Sequence, residues 1–173
     1  MDLVNKINIY NAYKALFFLF VPLLLIIVDN GNVRASISDY AYGCVDGNII
    51  TTLVFGFLIG ASGFLFADNG VTKNKWYNIV LGISLLIVAI TPHKDYTIIH
   101  YTAAVIFFTG SCAAMIIYSS TKQRVYKIIA SIVIVVALVA HFIFNWWSLL
   151  VAEWIGMLPI SIHFIGESLN KID

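Results

Sequence analysis

The sequence predicts an all-α, polytopic transmembrane bundle of six helices, with residues 1–173 forming one domain and both termini cytoplasmic. Three observations lead there. The chain is 61% hydrophobic and only 11% charged, whereas a soluble domain carries about a quarter charged residues. Apolar stretches recur along it, each near the roughly 20 residues that cross a hydrocarbon core of about 30 Å. Basic residues gather in alternate connections, as the positive-inside rule requires of a multi-span protein.

In lipid each stretch must be helical, because its backbone has to satisfy its own hydrogen bonds. The first runs over 11–28, behind Lys6 and Lys14. The "VDNGNVR" at its end is a poor small-x-small cleavage site, so the run reads as a span rather than a removed signal peptide. The loop "RASISDYAYGCVD" follows, from Arg34 to Asp46. The second stretch, 48–67, contains "FGFLIGASGFLFA", with Gly56, Gly60 and Gly63 on roughly one face. Such a small-xxx-small surface permits close helix approach, either inside the chain or between two copies as a homo-oligomer. The third, 76–91, ends at Thr91–Pro92, and the fourth covers 96–118. The fifth, 125–145, and the sixth, 147–167, are separated only by a short turn around Asn145–Ser148. Because the sixth holds Glu153 and Pro159, one long bent helix is the alternative.

With the N-terminus inside, the inner segments hold Lys6, Lys14, Lys73, Lys75, Lys122, Arg124, Lys127 and Lys171. The outer segments hold only Arg34 and Lys94. This bias supports an even number of spans, in a membrane expected to be the bacterial cytoplasmic one. Trp146, Trp147 and Trp154 fall where the outer interface is expected, and Trp76 at the inner one. The net charge of +1, with no dense basic patch, argues against nucleic acid as a partner and leaves membrane lipids. Cys44 and Cys112 fall near opposite faces, so no disulfide joins them.

On this topology the polar groups concentrate at one depth. The first outer loop gives Arg34, Ser36, Ser38, Asp39, Tyr40, Tyr42 and Asp46, and the second gives Thr91, His93, Lys94 and Asp95. His100, His141 and Glu153 lie one or two turns into their spans from the same side. An ionisable group inside hydrocarbon costs about 2–3 kcal/mol even on an insertion scale, so each should face a cavity or a partner. The expectation is an outward-facing polar pocket roofed by the first loop.

Imidazole and carboxylate suit zinc with one position left for water. His100, His141 and either Asp46 or Glu153 form a candidate set that would polarise water for hydrolysis of a lipid ester or amide. No HxxxH or HExxH spacing accompanies them. His100 can equally be a buried histidine bonded to a neighbouring hydroxyl or acid, and His141 an interface residue reaching outward. Glu153 is either functional or ion-paired with Arg34 or a histidine. His93 is expected to be solvated in its loop. Ser36 or Ser38 with His100 as base is a further arrangement; no GxSxG elbow supports it, and loop serines usually serve as caps or turns. Haem on His100 and His141 is disfavoured, since a two-haem cytochrome would pair histidines on single helices.

The segments "SISDYAY" and "ITPHKDYTIIHYTAAVIFFTGSCAAMIIYSS" carry a resemblance. They look like a group of bacterial multi-span membrane proteins with Ser-Ile-Ser-x-Tyr-Tyr in the first loop and His before a Phe-Phe pair in the fourth span. More distantly the chain resembles the damage-regulated autophagy modulators and the GPI-anchor remodelling membrane proteins. The resemblance covers about residues 34–126. It implies a helical bundle acting near lipids, and a link to the larger ceramidase and adiponectin-receptor superfamily of metal hydrolases. This chain departs from that pattern, lacking HxxxH and one span. Ser36, Ser38, Asp46 and His100 match the family positions.

The resulting assignment makes His100, Asp46 and Ser38 candidate catalytic residues. Arg34, Ser36, Tyr40 and Glu153 are candidate binding residues, and His100, His141, Asp46 and Glu153 candidate metal ligands. The expected function is binding of, or action on, a lipid headgroup, with zinc as the candidate cofactor. Two other classes stand beside it: a non-catalytic structural, sensor or assembly subunit, and a small transporter. The last is disfavoured because no inverted repeat or pair of broken helices is visible.

Overall fold

The computed structural model describes residue 13, residues 16–169 and residues 171–172, and these contain helices and no strand. α1 is Val21–Val28, preceded by helical residues 16–19 and a turn at Phe20. Pro22 has no N–H to continue the preceding turn, which accounts for the interruption. The rest of the first expected span, at 11, 12, 14 and 15, lies outside the described residues. A short 3-10 helix, Ile37–Tyr42, sits in the first loop. Then come α2 (Ile49–Thr72), α3 (Trp76–Ile90), α4 (Thr97–Ile117), α5 (Arg124–Phe142) and α6 (Leu149–Ser168).

Four of these helices, α2, α4, α5 and α6, are long and apolar enough to cross a membrane, which marks the chain as an integral membrane protein. α3 is equally apolar but has 15 residues, a length of about 22 Å at 1.5 Å per residue. α5 and α6 are separate helices rather than one bent rod. Asn145 takes φ 54° between them, a left-handed conformation that asparagine tolerates and that turns the chain back.

α2 and α3 form the closest pair. A Cβ on Gly63 would meet the Gly82 carbonyl oxygen at 2.8 Å, and one on Gly82 would meet Gly63 O at 2.5 Å. Only glycine lets these backbones approach so far. Gly63 is thus used inside the chain, while Gly56 and Gly60 face open space. Phe18, Phe66, Phe107 and Phe164 fill the centre, with ring centroids 4.6–6.0 Å apart in edge-on or tilted pairs. This aromatic plug divides the polar end that carries the first loop, called the outer end after the positive-inside expectation, from the opposite, inner one.

Candidate functional site

The first loop is organised around Arg34. Its Nε donates to Asp29 Oδ2 at 2.7 Å and its terminal nitrogen to Asp46 Oδ2 at 2.6 Å. The guanidinium also lies over the Tyr40 ring, 5.5 Å from the centroid. Asp29 is 1% exposed and accepts from Thr51 Oγ1 and Asn48 Nδ2 as well. The bond from Arg34 is the main force holding its carboxyl below the ordinary range; burial opposes, while Thr51 and Asn48 assist. Asp29 in turn raises Arg34. Tyr40 is fully buried, its hydroxyl donates to Asn32 O at 2.9 Å, and burial pushes that hydroxyl's pKa up.

Ser36 starts the 3-10 helix. Its Oγ accepts from Asp39 N, and Asp39 Oδ2 accepts from Ser36 N at 3.0 Å, a reciprocal capping box. Ser36 therefore serves as a cap. The capped helix aims the next residues down onto the bundle. Ile37 N donates to Glu153 Oε2 on α6 at 2.8 Å. Leu150 N at the start of α6 donates to Ala35 O. Ser38 Oγ lies 2.8 Å from His100 Nε2 on α4. Tyr42 O–H accepts from Lys94 N at 2.6 Å, which fastens the second loop to the first.

The His100 ring has a defined tautomer. Its Nδ1 is 2.6 Å from the Thr91 carbonyl, which can only accept, so Nδ1 carries the proton. Thr91 caps the end of α3, where helix carbonyls lack intrahelical partners, so its oxygen is free to take the bond. In the neutral ring Nε2 is then an acceptor, and Ser38 donates to it. Ser38 and Glu153 also line a cavity of about 40 Å³ whose other walls are apolar, among them Phe55, Leu85, Phe107 and Met157.

Several sequence expectations change. The residues brought together are Ser38, His100, Glu153 and the loop above them. Asp46 does not join them; it pairs with Arg34 and its side chain is 58% exposed. Glu153 bonds the Ile37 amide, and Arg34 is taken by the two aspartates instead. His141 lies in the last turn of α5, where its Nδ1 donates to Trp147 O at 2.8 Å and Trp147 Nε1 donates to Ala137 O. The set His100, His141, Asp46 and Glu153 therefore does not assemble as metal ligands. Among the described residues no group of three or more His, Cys, Asp or Glu is placed to hold a metal ion. With both ring nitrogens of His100 engaged, these donors do not fit zinc.

His93 is not solvated. Its ring packs 5.3 Å from Tyr42 and 5.7 Å from His100, and its Nε2 is 3.4 Å from Asp39 Oδ1. Trp154 is tied inward, donating from Nε1 to Leu19 O at 3.2 Å. The roofed pocket of the sequence reading is thus closed. The loop's polar groups bond one another and the helix ends, with the small cavity beneath.

Sequence reasoning missed Asp29, Thr51 and the Thr91 carbonyl. Asp29 had a readable signal, an acid closing an apolar span five residues before an arginine. It missed the inner end as well, where Lys75 pairs with Glu167 on α6 and Asn78 Nδ2 donates to Asn69 Oδ1 at 2.8 Å.

A family model described as a family of unknown function, DUF7103, matches residues 20–168. No curated protein and no solved structure matches the chain.

Proposed function

The chain belongs to a family of unknown function, DUF7103, which brings no assigned chemistry with it, and from its geometry we propose that this integral membrane protein acts on a lipid ester at the outer face, with Ser38 as nucleophile and His100 as its base. The observation that carries the reading is the contact of 2.8 Å between Ser38 Oγ and His100 Nε2, with Nδ1 on the Thr91 carbonyl. A serine hydroxyl is a weak nucleophile until an adjacent base takes its proton, and a third group must hold that base in the right tautomer. Here a backbone carbonyl fills the place an acid often takes.

The step is acyl transfer. Ser38 Oγ forms a bond to the ester carbonyl carbon as its proton passes to His100 Nε2. The ester C–O bond breaks, and the alcohol leaves with that proton. Water, deprotonated by the same nitrogen, then releases the fatty acid and restores the hydroxyl. Thr91 caps the carbonyl end of α3, and that electronegative end favours the positive charge growing on the ring. Glu153 is a positioning residue, since it fixes the amide of Ile37 beside Ser38. The cavity at its present size holds about three waters, at roughly 10–15 Å³ each. Ester entry therefore requires the 3-10 helix to lift from α4 and α6.

The closure itself favours a second reading. The bonds that align Ser38 with His100 also pin the loop to α4, and a loop latch in a non-catalytic membrane protein needs nothing more. Ester turnover in lipid vesicles separates the two. Ser38→Ala should lower phospholipid or nitrophenyl ester turnover by about a thousandfold or more, with the melting temperature recorded to exclude unfolding. Turnover equal in wild type and Ser38→Ala would leave the latch.

A further inference from the structure

The connections at the outer end of the bundle differ sharply in charge. The first loop carries Asp29, Arg34, Asp39 and Asp46, and the connection after α3 carries Lys94 and Asp95. The α5–α6 turn carries none, because the whole run from Ile128 to Ala152 holds no Asp, Glu, Lys or Arg. It belongs to the same end, since Leu150 N at the start of α6 donates to Ala35 O in the first loop. Phe142, Ile143, Phe144 and Trp146 of this turn are nevertheless 57–70% exposed. Trp146 stacks on Phe144 with ring centroids 5.3 Å apart, so these side chains form one apolar tip.

Continuity, length and hydrogen bonding identify lipid as what covers the tip. Exposed Ile128, Ile132, Val135, Val136 and Val139 share one face of α5 at helical spacing. α5 is one of the four helices long and apolar enough to cross the membrane, so this face meets acyl chains. Phe142 and Ile143 continue the same row past the helix end. With Arg124 at the inner boundary, a rise of 1.5 Å per residue brings Phe142 about 27 Å across, short of a hydrocarbon core of about 30 Å. The turn also satisfies its own backbone. Asn145 N donates to His141 O at 3.0 Å, Trp146 N donates to Ala140 O at 3.2 Å, and Trp147 O accepts from His141 Nδ1 at 2.8 Å. A turn in water has no need of these bonds, whereas one shielded from water must find them internally. The tryptophans divide accordingly. Trp147 and Trp154 donate inward, to Ala137 O and Leu19 O. Trp146 turns outward, where an amphipathic ring suits the boundary between headgroups and chains.

We propose that the α5–α6 turn is a lipid anchor, with Phe142, Ile143, Phe144 and Trp146 inserted among the upper acyl chains of the leaflet at that end. The charged first loop stands in the headgroup and water layer, and the apolar tip lies below it. The anchor is independent of the Ser38–His100 reading, and Ser38→Ala should leave it unchanged.

A nitroxide on Phe144→Cys in the Cys44→Ser chain tests this, with the protein in phosphatidylcholine vesicles at a high ratio of lipid to protein. Collisions with oxygen, which concentrates in lipid, are compared with collisions with a nickel chelate, which stays in water. Ile143→Cys in the same background is the second probe. Native Cys44, exposed in the first loop, is the water control, and Cys112 is buried. Oxygen collisions should exceed nickel collisions at both tip sites, at a depth of about 5–10 Å below the headgroup boundary, with the reverse at Cys44. Nickel excess at either tip site would overturn the proposal by placing the turn in water. Few collisions with both reagents would overturn it too, because a second copy or another protein then covers the tip. Oxygen excess at Cys44 would remove the difference in depth and overturn it as well. Tryptophan emission provides an arm without added cysteines. The component that Trp146→Phe removes should be quenched by lipids brominated near the top of the chains and spared by aqueous iodide, and the opposite pattern would overturn the anchor.

Discussion

The two ends of the bundle solve the problem of polar groups near lipid in opposite ways. The outer end uses diverse side chains that satisfy one another. One arginine joins two aspartates, a capped 3-10 helix reaches α4 and α6, and a cavity of only about 40 Å³ is left. Among the described residues the inner end sets lysines around Glu167 and leaves a pocket of about 430 Å³. Polar variety in sequence therefore marks the closed end, and the open pocket lies where the sequence holds little beyond lysines.

Removing the cation at each end should produce the largest effects. Arg34→Met leaves Asp29, 1% exposed, without its partner, and unfolding free energy in detergent should fall by about 3–5 kcal/mol. Lys75→Met leaves Glu167, 5% exposed, in the same condition and should cost a comparable amount. If Lys75→Met costs no more than an ordinary surface change, the inner pair is not a structural floor. A smaller effect comes from acid. Arg34 holds the folded Asp29 below its ordinary range, so the stability it contributes is complete above the unfolded value of about 3.9 and is lost as pH falls through the lower folded value. Melting curves between pH 7 and pH 3 should show this loss in wild type and less of it in Asp29→Asn. Smallest of all, Lys122→Gln, exposed on the α4–α5 turn, should change stability by no more than about 0.5 kcal/mol. A large stability loss from it would make that end a structural network like the outer one.

Much of the fold was legible in the sequence. The apolar run at 76–91 became Trp76–Ile90, and the run at 96–118 became Thr97–Ile117, because uninterrupted hydrophobicity and flanking polar residues bound a helix in lipid directly. The short turn near Asn145 was harder to read, and a left-handed asparagine decided it. The meeting of Ser38 and His100 was legible as one of two serine–histidine arrangements at a shared depth, and the capping role of Ser36 decided between them. Depth alone could not exclude His141, which sits at a similar level but spends its Nδ1 on the Trp147 carbonyl. Nor could it exclude Asp46, which the nearest cation captured. The role of Asp29 was hidden because it reads as the end of a span, and the contact of Gly63 with Gly82 was hidden because it joins two helices. The inner pocket was the least legible part. Lys73, Lys75 and Lys171 look like separate positive-inside markers until the fold brings their segments together.

Covalent labelling of the protein in lipid with an alkyl fluorophosphonate, read by intact-mass and peptide mass spectrometry, separates a reactive dyad from a latch. A reactive Ser38 takes one label per chain, absent in Ser38→Ala and formed about a hundredfold or more slowly in His100→Ala, as loss of a general base requires. A chain that takes no label, or takes it equally well after Ser38→Ala, leaves Ser38 and His100 as a latch.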